Sequence, residues 1–213
     1  MNPEELRDIA GTYQFGDFAL TNAIRVARPP HGIIPTNGYN LSAYRNLPEV
    51  AAAVSREKIF DALQEMLGSI AEDHESVTVV LESSHGRIEH GLPHQDFFID
   101  GVDMWKVRKV LADHEDLVIN DGLTGVAVIA ENDHRELQLT EHKLLIAYAR
   151  RTKAFRERLA ALGIPFDPAM HFVHHGAHFH MTDDAYPEQF RHMAAEFGLN
   201  LTYGNDNDER LGV

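Results

Sequence analysis

The chain has 213 residues, a formal charge of −14 from 33 acids and 19 bases, and no cysteine. The acidic balance argues against a nucleic-acid footprint, which needs a basic face, and against an anionic membrane surface. The missing thiols exclude disulfides, thiolate nucleophiles, cysteine–zinc sites and iron–sulfur clusters, and they fit a cytoplasmic protein.

Residues 1–45 read as an N-terminal extension. Asn2-Pro3-Glu4-Glu5 opens a short helix that ends near Gly11, and its polar, acidic start is unlike a secretory leader. Residues 28–40 carry three prolines and two glycines, and Asn37-Gly38 is a turn signal, so this stretch is a loop. Arg25, Arg28, His31, Tyr39, Tyr44 and Arg45 give it the polar–aromatic character of a ligand cover. A surface connection packed down by Ile33 and Ile34 is the simpler account.

An α+β core domain is expected over 46–204, followed by a polar tail over 205–213. In 47–72, Val50, Val54, Ile59, Phe60, Leu63, Met66 and Leu67 recur at helical spacing, with Pro48 to start a helix. Val-Thr-Val-Val-Leu-Glu at 77–82 is a β-branched strand. It runs into Ser83-Ser84-His85 and then a second histidine group, His90 and His94, with Glu89 and Asp96. A serine–His85 catalytic pair lacks the G-x-S-x-G elbow.

Residues 97–100 form a short strand, and Asp103 caps a helix to about 114. Asp121-Gly122 between the apolar runs 117–119 and 126–130 predicts a hairpin. Strands follow over 136–140 and 142–149, the second almost wholly apolar after Glu141-His142, as a strand covered on both faces should be. A helix over 150–162 presents Arg150, Arg151, Lys153, Arg156 and Arg158, a basic face in an acidic chain, and Gly163 stops it. This face is either solvated surface or a place for a protein partner to dock.

The chemical anomaly lies between 171 and 180, where five of the 14 histidines fall. Imidazole ligates zinc, nickel, copper and iron, but a site needs two to four ligands converging on one point. Extended backbone puts His174, His178 and His180 on one face and His171 and His175 on the other. A helix would instead align His171, His174, His175 and His178. Gly176, Val173 and the phenylalanines favour the extended form, as the last strand before a helix over 185–197.

The expected fold is α+β, a largely antiparallel sheet with helices packed on one face, in a single domain with an N-terminal extension. The expected function is that of a binding or accessory protein holding a small ligand, a protein partner or a divalent transition metal (zinc, nickel or iron) at the histidine segment, with self-association open. The alternative is a metal-dependent enzyme in which His174, His178 and His180 leave a position open for water and Glu89 or Glu141 acts as base.

Overall fold

Seven stretches of alternating or continuously apolar residues pair into one antiparallel sheet. In the computed structural model, which describes residues 14–27, 32–72, 74–86, 93–130 and 134–201, two short strands come first: β1 (Gln14–Phe15) and β2 (Phe18–Ala19). The helix expected over 2–11, His31, Glu89, His90 and the polar tail lie outside the described residues. β3 (Ile24–Val26) follows, then β4 (Gly38–Tyr44) and β5 (Leu47–Ala53) as a hairpin. β4 therefore draws part of the expected extension into the main sheet. Helix α1 (Ile59–Leu67) leads to β6 (Ser76–Ser83) and β7 (Gln95–Asp103). Helices α2 (Met104–Asp113) and α3 (Glu115–Asn120) lead to β8 (Thr124–Ala130), β9 (Arg135–Leu139) and β10 (Leu144–Tyr148). Helix α4 (Lys153–Ala161), a 3-10 turn (Val173–His175), β11 (His178–His180) and helix α5 (Tyr186–Glu196) complete the described chain.

The main sheet runs β4-β5-β10-β9-β8-β6-β7, and β11 pairs separately with β3. Alternation sorts the strand residues onto two faces. Val50, Ala52, Val79, Leu81, Val128, Leu137 and Leu145 meet the helices, which all lie on this face. Phe155 of α4 and Phe190 of α5 are fully enclosed there, and truncating either to alanine should cost about 3–5 kcal/mol. On the other face, Ala51, Ala53 and Leu144 pack beneath Phe18, Leu20, Ile24, Met170, Phe172 and Val173. That second core seats the β3–β11 ribbon over one half of the sheet.

Three expectations need correction. The helix expected over 47–72 is β5 followed by the shorter α1. Alanine favours helices in isolation, but Val50-Ala51-Ala52-Ala53 has an apolar layer on each side, which is the environment of a central strand. The hairpin expected at Asp121-Gly122 is absent, because 115–120 is helical. Leu117 and Val118 are buried there, and Asp121 N–H closes a turn onto Leu117 O at 3.1 Å. The histidine stretch is not one strand but the 3-10 turn followed by β11. Among the described residues no helix is long and apolar enough to cross a membrane.

Candidate metal centre

β11 is short, but its register on β3 is definite: His178 faces Val26, Phe179 faces Arg25 and His180 faces Ile24. Residues two apart on a strand share a face, so His178 and His180 project together. The third imidazole comes from elsewhere. His142 sits in the turn between β9 and β10, closed by Lys143 N–H on Thr140 O at 2.9 Å. Lys143 takes a left-handed backbone, φ +57°, which costs a non-glycine residue about 1 kcal/mol or more. Its side chain holds the turn down: buried Nζ donates to Thr124 O at 2.7 Å and Val118 O at 3.0 Å. Burial lowers this ammonium to about 8, against the opposing pull of Asp121, Glu141 and Glu82.

These two anchors bring the His142 ring centroid to 4.8 Å from His178 and 4.7 Å from His180. One ligand nitrogen from each of the three lies within 4.8 Å of the others. Zinc–nitrogen bonds of about 2.0–2.1 Å in a tetrahedron require nitrogens about 3.4 Å apart, so the rings need close by little more than about 1 Å around an ion.

Their hydrogen bonds fix which nitrogen is available. His180 Nδ1 lies 2.6 Å from Gly122 O, and His178 Nδ1 lies 2.8 Å from Gly176 O. A carbonyl only accepts, so each Nδ1 carries the proton and each Nε2 keeps its lone pair. Metal-ligating histidines are usually oriented by this same backbone bond. Gly122 is itself held by its N–H on Met181 O at 2.7 Å, and a Cβ there would sit 2.4 Å from Ala23 O. His142 is lowered to about 4, first by burial and then by the neighbouring His180, His178 and His174, so it stays neutral and able to donate.

The five histidines of the segment separate. His178 and His180 join His142. His174 lies beside this group, 5.6 Å from His142, stacked on Phe172 and lowered by burial and by His175. His171 and His175 contact each other, and His175 Nδ1 accepts Phe172 N–H at 3.2 Å. His142 escapes a reading of the segment because it is 36 residues upstream of His178 in the chain. The available signal was a lone imidazole in the turn feeding an apolar strand.

Four further described histidines have acid partners: His114 with Glu196, His192 with Glu188, and, closer to this group in the fold, His85 and His94. His85 Nε2–H donates to Asp121 Oδ2 at 2.9 Å, with both side chains essentially inaccessible. Burial alone would raise the Asp121 carboxyl. Hydrogen bonds from His85, Thr124 and Thr182 outweigh it and hold that carboxyl below its usual range. His85 Nε2 is thereby committed to Asp121, and only its backbone N–H bonds Ser83 Oγ, at 3.2 Å. Ser84 Oγ instead lies 2.7 Å from Glu141 Oε1 and 3.0 Å from His94 Nδ1, whose Nε2 is 3.0 Å from Asp96. Glu82 nearby is raised by burial and by Asp96. Glu141, the candidate base, is thus engaged with Ser84 and His94; Glu89 lies outside the described residues.

Comparison with known protein families, with curated proteins and with solved structures finds no match to this chain.

Proposed function

We propose that this protein binds a divalent transition metal ion through His142, His178 and His180. The observation that supports the reading is the convergence of three imidazoles, two of them with Nδ1–H tied to backbone carbonyls so that Nε2 is the free donor. An all-nitrogen, neutral donor set suits zinc, nickel or iron rather than calcium or magnesium, which take oxygen. The charge of −14 raises the local concentration of cations. With three nitrogen ligands, a water would take the fourth position, as in an open rather than a closed site. The cysteine-free composition supports a cytoplasmic setting.

The enzyme reading has less support. Among the described residues the convergent group holds no carboxylate. A small cavity of about 20 Å³ lies beside His142 and His171, with room for a single water-sized group.

The test is elemental analysis and zinc or nickel titration of untagged protein. About one ion per chain is expected, lost in the His178→Ala, His180→Ala double variant and retained in His171→Ala, His175→Ala. No stoichiometric ion, or equal loss in both variants, refutes the site.

A further inference from the structure

We infer that Thr21 is a positioning residue for the metal centre, acting through one internal water that bridges its hydroxyl to the non-ligating nitrogen of His142. The inference deepens the proposed metal site and rests on that reading for its consequence. It starts from an inequality among the three imidazoles. His178 and His180 each have Nδ1 within hydrogen-bond reach of a backbone carbonyl, at 2.8 and 2.6 Å. The His142 ring makes edge contacts with both of them and with His174, and among the described residues no protein group hydrogen-bonds to it. A metal-ligating histidine is usually oriented through its second nitrogen, by a carboxylate, a carbonyl or a water. One His142 nitrogen lies within 4.8 Å of the ligand nitrogens of the other two rings, which leaves the second for such a partner.

A cavity of about 20 Å³ supplies the place, bordered by both His142 and Thr21. Thr21 lies in the link between β2 and β3. It is 3% exposed, and its Oγ1 has no hydrogen-bond partner among the described residues. The link is pinned on either side: Ala19 N–H donates to Ser55 Oγ at 2.9 Å and Asn22 N–H to Asn120 Oδ1 at 3.0 Å. Phe18, Leu20, Ile24 and Val173 make the wall around the hydroxyl apolar. An isolated hydroxyl in such a wall is destabilising, and valine would fill the same space without that penalty. A water needs roughly 10–15 Å³ and two to four polar partners, so the cavity takes one, and hydroxyl and imidazole are the pair it can join. Lys143 also borders the cavity, but its Nζ is committed to Thr124 O and Val118 O. His171 borders it too, but is exposed and reaches bulk solvent.

The hydrogen bonds have a required direction. The metal-facing nitrogen keeps its lone pair, so in a neutral ring the second nitrogen carries the proton and donates it to the water oxygen. The water in turn donates to Thr21 Oγ1. It does for His142 what Gly176 O and Gly122 O do for the other two rings.

The test compares the parent chain with Thr21→Val and Thr21→Ser, first without metal. Imidazole nitrogen NMR should show His142 in one N–H tautomer in the parent and in Thr21→Ser, and in a mixture of tautomers in Thr21→Val. Thr21→Val should also melt about 2–4 °C lower, because the water loses a partner. A hydroxyl that holds no water predicts the opposite sign, with valine raising the melting temperature. Zinc titration then reads the consequence: affinity about 10–100-fold weaker in Thr21→Val and near the parent's in Thr21→Ser, which keeps the hydroxyl. If the parent takes up no zinc, the metal reading fails by itself, and the metal-free tautomer and melting temperature still decide whether Thr21 holds His142. Thr21→Val that keeps the parent's tautomer, melts at or above the parent, or binds zinc as a zinc-binding parent does, overturns the inference.

Discussion

His85 and the His142–His178–His180 group both lean on the Asp121–Gly122 segment, yet they are different chemistry. His85 gives its Nε2 proton to a carboxylate buried with it. His180 gives its Nδ1 proton to the next residue's carbonyl and keeps Nε2 unshared. The first arrangement is complete within the protein. The second gathers one ligand nitrogen from each of three rings within 4.8 Å of the others, a spacing that a shared cation would draw in and that added protons would push apart. The neighbour, not the side chain, decides whether a buried imidazole is a strut or a ligand.

The largest effect should come from breaking the complete arrangement. Asp121→Ala leaves His85, Thr124 and Leu123 N–H without their acceptor and should cost about 3–5 kcal/mol by chemical denaturation. A loss below about 1 kcal/mol would mean that the pair does not support the fold. His178→Ala tests the incomplete one. Removing a ligand should weaken zinc binding by about 100-fold or more, beyond what loss of a ligand's hydrogen-bond partner costs. An unchanged zinc affinity would dissociate the two regions entirely.

Acid should sharpen the contrast, because the two regions lose stability in different windows. His142 is held near 4 in the fold but titrates near 6.5 when unfolded, so the unfolded chain binds more protons between those values. Stability conferred by the neutral ring is full above pH 6.5 and is lost as pH falls toward 4, by about 1–2 kcal/mol after allowing for solvent screening. The Asp121 carboxyl is lowered, so its contribution is present above the unfolded value of 3.8 and is lost only below it. Metal-free thermal melts from pH 7 to 4 should show the upper step, and His142→Asn should remove it. The smallest effect belongs to His94, which has acid partners but is 41% exposed on its side chain. His94→Gln should change stability by no more than about 0.5 kcal/mol.

The fold class was legible because it rests on local pattern. Residues 77–82, 104–113 and 186–196 carry period and propensity that agree with their tertiary setting. The failures are places where the two disagree. The alanines of β5 read as helix until the second core of Phe18, Ile24 and Phe172 is known to cover them. Asp121-Gly122 reads as a hairpin turn, although Gly122 is required by the approach of Ala23 O and Met181. The candidate site was half visible. His178 and His180 stand in the anomalous segment, while His142 reaches them only through the turn that Lys143 pins, a relation that no spacing within the chain encodes.

His178 and His180 ride on a ribbon with its own hydrogen bonds, while His142 belongs to the hairpin of the seven-stranded wall. An ion gripped by all three would act as a rivet through two sheets that otherwise meet through apolar contact and the few hydrogen bonds at Gly122. Loading should slow amide exchange at Ile24–Val26 and His178–His180 while leaving the centre of the wall, β6 against β8, as it was. Stripping the ion would loosen the strap and spare the panel behind it.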